Sequence, residues 1–145
     1  MGLVVRLAVP EDEERIRELF IEMLQTIYHT ENVQGYENGY LDRFWSDNED
    51  RIYVAADSSI EAFLSVEVYR EPDNYIYLDD CSVTERYRSR GLGTRLIREA
   101  EAYAKERGMF ILLDGSDRCS GPFNSGRFTE DFNLQKRFHT AGGSQ

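Results

Sequence analysis

Apolar positions along this chain switch between two spacings, and each switch marks the edge of a predicted element. Leu3 to Val9 reads as a short strand. Pro10 and the acids Glu11 to Glu14 then suit a helix opening, with proline in the first turn and carboxylates at the positive end of the dipole. Ile16, Leu19, Phe20, Met23, Leu24 and Ile27 recur at helical spacing and form one apolar face. A polar stretch from Thr30 to Gly39 follows. Tyr40, Leu41, Phe44 and Trp45 then make a second, shorter helical stripe, closed by a loop from Ser46 to Asp50.

From Arg51 the period shortens. Ile52 to Ala56 is β-rich, Asp57-Ser-Ser is a turn, and Ala62 to Tyr69 resumes as a strand, which predicts a hairpin. A second turn at Glu71-Pro-Asp-Asn leads into Tyr75 to Val83, so three consecutive strands form an antiparallel meander. Gly91 to Gly108 is a helix with Leu92, Leu96, Ile97, Ala100, Tyr103 and Ala104 on one side and glycine at its C-cap. Met109 to Leu113 is a short apolar strand. Strand, helix, strand without a hairpin turn implies a crossover and a parallel pair. Further on, Asp114 to Gly126 reads as loop, Phe123 to Asn133 as a short helix and Leu134 to His139 as a strand. The predicted fold class is α/β (α+β), with a mixed, mostly antiparallel sheet around a central βαβ unit.

The 145 residues suit one domain, 1–145. At 41% hydrophobic and 12% aromatic the chain can form a core, which excludes global disorder. Twenty-seven acidic against 17 basic residues leave a formal charge of -10, a field that repels phosphate backbones and anionic lipid and attracts cations such as amines. Nucleic acid and membrane are therefore excluded as main partners. Cys81 and Cys119 are too few for a disulfide framework and lack metal-ligand neighbours, so no metal is expected. No segment approaches ~18 consecutive apolar residues, which predicts a soluble, cytoplasmic protein.

The stretch Val83-Thr-Glu-Arg-Tyr-Arg-Ser-Arg-Gly-Leu-Gly-Thr-Arg-Leu is a strand end, a basic glycine loop and a helix start. Amides at Gly91 to Thr94 would point into the loop, the helix dipole adds positive potential, and Arg88 and Arg90 add charge. Glycine at 91 and 93 lets the backbone approach a pyrophosphate closely. The loop lacks the Gly-Lys-Ser/Thr end of a nucleotide-binding P-loop.

Arg88-Ser-Arg-Gly-Leu-Gly fits the signature Arg/Gln-x-x-Gly-x-Gly/Ala, and in this the chain resembles the GNAT superfamily of acyl-CoA-dependent N-acetyltransferases. The family's element order matches residues 3 to 113. The resemblance implies a GNAT-like acyl-CoA N-acyltransferase fold with acetyl-CoA as co-substrate and no metal. It assigns the pyrophosphate to Arg88, Ser89, Arg90, Gly91, Leu92, Gly93 and Thr94, and the pantetheine arm to the backbone of Cys81, Ser82 and Val83. Ser89 stands where the signature has a further glycine. Many members carry a glutamate base where this chain has Tyr77; Asp79, on the same alternating face as Tyr77 and Cys81, is the nearest carboxylate, and Asp80 points oppositely. Thr129 stands where the family uses a tyrosine to protonate the departing thiolate, and its hydroxyl is a poor general acid. Leu134 to His139 supplies one final strand where the family has two, which implies either strand exchange in a homodimer or a divergent C-terminus.

In that architecture the acceptor enters between the first two helices and the sheet. Tyr28, Tyr36 and Tyr40 are the expected lining, with Glu31, Glu37 and Asp42 near in sequence; aromatic faces beside carboxylates suit an ammonium group. His29 reads as a surface residue, and Phe44 and Trp45 as packing residues. The implied activity is acetyl transfer from acetyl-CoA to a primary amine, on a small molecule or a peptide, by direct attack in a ternary complex. The alternative is a catalytically weak or inactive CoA-binding regulatory module.

Overall fold

In the computed structural model, residues 2–46, 48–71 and 74–113 are described. Five strands form one sheet in the order β1 (Val4–Leu7), β2 (Arg51–Ala56), β3 (Ile60–Tyr69), β4 (Tyr75–Val83) and β5 (Phe110–Leu113). The first four are antiparallel, and β5 lies parallel to β4. Helix α1 (Glu13–Tyr28) separates β1 from β2, and α2 (Leu92–Arg107) carries the chain from β4 to β5. The mixed, mostly antiparallel sheet with its βαβ unit is thus the architecture that the spacing of apolar residues predicts. The expected helix at 123–133 and strand at 134–139 lie outside the described residues, as do Cys119 and Thr129.

Among the described residues, one α-helix packs on each face of the sheet. Alternation along β2 and along β3 from Ala62 onward divides the apolar side chains between the two faces. Tyr53, Ala55, Leu64 and Val66 join Ile76, Leu78, Cys81 and Val83 against Leu96, Ile97 and Ala100 of α2. Val54 and Phe63 turn the other way, onto Ile16 and Leu19 of α1 and Leu41. Every residue from Ile60 to Glu67 is buried, as expected for a central strand covered on both sides.

The second helical stripe forms a 3-10 helix, Tyr40–Phe44, not an α-helix. Its amides bond three residues back, Asp42 N to Gly39 O at 3.1 Å and Trp45 N to Asp42 O at 2.9 Å. Five residues are too few to repay an α-helical nucleus, and the tighter turn is the usual solution at this length. Helix α2 ends at Gly108, whose φ of 66° permits Met109 N to reach Ala104 O at 2.8 Å before β5 begins. Among the described residues no helix is long and apolar enough to cross a membrane, and no group of three His, Cys, Asp or Glu is placed to hold a metal.

Candidate active site

The glycine loop is rooted in the sheet by buried polar contacts. Thr84, the residue after β4, donates its backbone N–H to Glu61 O and its hydroxyl to Glu61 Oε1, both at 2.9 Å. Glu61 Oε2 also accepts from Ser59 Oγ at 3.1 Å. Tyr87 Oη donates to Asp57 Oδ2 at 3.0 Å, tying a short 3-10 turn, Glu85–Tyr87, to the β2–β3 turn. The guanidinium groups of Arg86 and Arg90 lie 5.1 and 5.2 Å from the Tyr87 ring centroid. Arg88 folds back so that Nε donates to Val83 O at 3.1 Å.

Two residues of the loop are left-handed, Ser89 at φ 67° and Gly91 at φ 80°. Gly91 is the N-cap of α2 and offers no side chain to its amides; the first intrahelical bond is Arg95 N to Gly91 O at 3.0 Å. The amides of Leu92, Gly93 and Thr94 therefore have no intrahelical acceptor, which leaves donors and a positive dipole end at the loop. Leu92 and Gly93 are buried, so the helix start is fixed by packing. Ser89 is exposed. A left-handed conformation costs an L-residue roughly 1–2 kcal/mol, and glycine's extra entropy loss offsets roughly 0.5–1 kcal/mol of that gain. Ser89→Gly is thus expected to leave stability unchanged or raise it by up to ~1 kcal/mol in urea unfolding; a loss would mean that the serine side chain itself holds the loop.

Strand β4 does not alternate throughout. Ile76 and Leu78 face α2, and so do Cys81 and Val83, a step of three residues between Leu78 and Cys81. The ladder shows why: Leu64 pairs with Cys81 and Val66 with Leu78, so Ser65 alone stands opposite both Asp79 and Asp80. This is a β-bulge, and it places two consecutive residues on one side. Asp80 thus points away from Cys81 as expected, whereas the expected common face of Tyr77, Asp79 and Cys81 is corrected: the bulge puts the alternation before it out of phase with that after it. Cys81 is fully buried toward α2, whereas the Asp80 carboxylate meets Tyr36 on the α1 side, and both aspartates act electrostatically on Tyr36 and Tyr40.

On that side an aromatic column stands over the bulge. Phe20 and Tyr36 stack at 3.8 Å between centroids, Tyr36 and Tyr40 at 5.0 Å, and Tyr40 meets Phe44 edge-on at 6.5 Å. Tyr36 Oη donates to Asp80 Oδ2 at 2.8 Å. Burial first, then Asp80, pushes the Tyr36 phenol far above its usual range. Burial, then Glu67 and Asp79, pushes Tyr40 up to about 12; both phenols stay protonated at neutral pH. Arg43, bonded to Asp50 at 2.8 Å and to Glu67 at 3.0 Å, closes the outer end. Tyr77, half-buried, pairs with Glu67 across the ladder.

The structure brings Tyr36, Tyr40, Asp79 and Asp80 together. Tyr28 does not join them: at the last position of α1 it is 62% exposed. His29 caps that helix in a left-handed conformation and is exposed. It lines a cleft of about 580 Å³ with Glu22, Gln25 and Thr26 of α1 and Glu85 and Arg88 of the loop. Phe20, Ser65 and Glu67 belong to the neighbourhood and were not foreseen; the phase slip Ile76-x-Leu78-x-x-Cys81-x-Val83 is the signal that locates the bulge. Between the aromatic column and the loop, β4 runs without a neighbour on its β5 side among the described residues, because β5 pairs only with Tyr75 to Leu78. The backbone of Cys81, Ser82 and Val83 follows directly; Ser82 turns its hydroxyl to Leu19 O at 3.2 Å.

The model of the acetyltransferase (GNAT) family matches residues 14–117. No curated protein sequence matches. Among solved structures, an aminoglycoside acetyltransferase from an uncultured soil metagenomic sample, in complex with sisomicin, is 14% identical with a TM-score of 0.64, covering 99% of this chain and 91% of that one. A ribosomal-protein-alanine N-acetyltransferase from Brucella melitensis biovar Abortus 2308 is 17% identical at a TM-score of 0.64, over 89% and 88% of the two chains. AAC(6')-Iy, in complex with a bisubstrate analogue joining CoA to acetylneamine, is 14% identical at 0.62, over 92% and 88%. At such identities the likeness concerns the fold.

Proposed function

The chain belongs to the acetyltransferase (GNAT) family, and from that premise we propose that it moves an acetyl group from acetyl-CoA to a primary amine by direct attack within a ternary complex. The observation that carries this reading is the juxtaposition along one strand. The β4 backbone at Cys81 to Val83 leads into a left-handed loop and an uncapped helix start, and the same strand bears the Asp79–Asp80 bulge immediately before Cys81.

The residues present fit acetyl-CoA. Amides from Gly91 to Thr94, with Ser89, Arg88 and Arg90, suit a pyrophosphate, and the open β4 backbone suits an arm that adds to the strand. Bound there, acetyl-CoA supplies an activated acetyl thioester. The protein's part is to align and to move a proton. A backbone amide near the strand end polarises the thioester carbonyl, and a carboxylate of the bulge, Asp79 in the first reading, takes the amine proton directly or through water. Tyr36 and Tyr40 offer aromatic faces to the ammonium, and the carboxylates around them favour a cation. Small-molecule amines are the favoured acceptors, supported by the acidic charge of the chain and by the aminoglycoside acetyltransferases among its structural neighbours. A cytoplasmic location and a homodimer complete the proposal.

Acetyl-CoA should be turned over with release of free thiol when sisomicin, spermidine, 2-phenylethylamine or an alanyl peptide is supplied. Thiol titration across this panel checks it. Acetyl-CoA binding without turnover on any of these would favour a regulatory CoA-binding module.

A further inference from the structure

Resting on that reading, we infer that the acceptor is an amine with a single ammonium and an aromatic body, and that Arg43 is the specificity-determining residue that turns away a second positive charge. In the β3–β4 hairpin Val66, Val68, Ile76 and Leu78 pack on the α2 side, so Glu67, Tyr69, Tyr75 and Tyr77 lie on the side of the aromatic column. The rings of Tyr69 and its ladder partner Tyr75 stack at 5.1 Å between centroids, 19° from parallel. Tyr77 pairs with Glu67 beside them, two residues before Asp79. Tyr69 is 39% exposed, and Tyr75, Tyr77 and Tyr40 are half-buried. These rings form an accessible floor that runs from the end of the hairpin towards the bulge.

Arg43 joins that floor to the column. Its guanidinium lies 5.6 Å from the Tyr40 ring centroid and 5.3 Å from that of Phe44. Nη1 donates to Glu67 Oε2 at 3.0 Å, and Nε and Nη2 donate to Asp50 Oδ2 at 3.2 and 2.8 Å. The other oxygens of both carboxylates are bonded as well: Tyr69 Oη donates to Glu67 Oε1 at 2.6 Å, and Val68 N to Asp50 Oδ1 at 2.9 Å. Aromatic faces between two carboxylates are what a ligand's ammonium would seek, and here the protein's own arginine fills the place. The Arg43 side chain is 36% exposed, so a ligand on the floor reaches it. A second ammonium directed along the floor therefore meets a held positive charge and carboxylates already bonded, and such like-charge juxtaposition is costly. An uncharged ring meets neither obstacle and can stack on Tyr69, Tyr75 or Tyr77. At the far end the carboxylates of Asp79 and Asp80 act on Tyr36 and Tyr40, which suits one ammonium there.

The test uses the full chain with acetyl-CoA and compares kcat/KM, by thiol release, for 2-phenylethylamine, its para-aminomethyl derivative, which adds a second ammonium to the same ring, and hexylamine, which has no ring. The wild type is expected to favour 2-phenylethylamine over the diamine by about 10-fold or more, and over hexylamine by about 2- to 10-fold. Arg43→Met keeps a long apolar side chain and removes the charge, so it should narrow the first gap by about 10-fold. Arg43→Lys keeps the charge and should preserve that gap. Tyr69→Ala should narrow the second gap and leave the first. Urea unfolding of each variant separates altered selectivity from loss of fold. A wild type that turns over the diamine, spermidine or sisomicin as well as 2-phenylethylamine overturns the inference without any variant, and so does hexylamine matching it. An unchanged ratio in Arg43→Met overturns the role of Arg43. Absence of turnover by the wild type on every amine, the alanyl peptide included, overturns the underlying reading instead.

Discussion

Arg88→Ala combined with Gly91→Glu is expected to abolish stabilisation of the protein by acetyl-CoA. A ligand held at ~100 times its dissociation constant raises stability by about 2.7 kcal/mol, so the wild type should show a clear upward shift in thermal unfolding. The double variant attacks the loop in two ways. Glutamate at 91 must adopt a φ of 80°, which an L-residue resists, and it sets a carboxylate at the uncapped start of α2 where phosphates would lie. Alanine at 88 removes the guanidinium that reaches from the loop to Val83 O. A fall in affinity of 100-fold or more follows, leaving a shift of about 0.4 kcal/mol or less. ATP is the control ligand, and unfolding without ligand separates loss of binding from loss of fold. Undiminished acetyl-CoA affinity in the double variant would place the cofactor elsewhere on the molecule.

The largest stability loss is expected at Phe63. This side chain is fully buried on the central strand and packs with Ile16 and Leu19 of α1, Leu41 and Val54. Two helical segments and the sheet meet on it, so none can move into the space without dragging the others. Phe63→Ala should cost about 3–5 kcal/mol, at the collapse-resistant end of large-to-small changes. Urea unfolding followed by circular dichroism measures it; a cost near 1 kcal/mol would show that α1 slides to fill the cavity.

What the sequence revealed and what it concealed divide along physical lines. Helix α1 was legible because six apolar residues recur at its period, and the meander because each turn is marked by its own polar residues. The glycine loop was legible as a local string whose backbone demands are printed in its glycines. The aromatic column was only partly so. Tyr36 and Tyr40 were singled out, yet Tyr28 lies outside their cluster, because at the end of α1 a single residue's rotation decides between sheet and solvent. Asp79 and Asp80 were assigned to faces by strict alternation, and the bulge breaks that rule. A bulge is a pairing event between β3 and β4; it shows in one strand only as a hesitation in the apolar rhythm, and its partner Ser65 carries no mark at all. Glu67 and Phe20 reach the site through tertiary packing, which no spacing along the chain encodes.

The sheet's two coverings have an evolutionary consequence. The helix that follows the glycine loop rests on one face, and the aromatic column with its carboxylates rests on the other. Substitutions that reshape the aromatic column touch Tyr36, Tyr40 or the loop leading to them, and none of these belongs to the cluster packed against α2. Changes on the two faces should therefore combine nearly independently, as sites without shared partners do. On the proposed function, a lineage built on this plan can drift from one amine to another while its grip on the acetyl donor stays under separate selection.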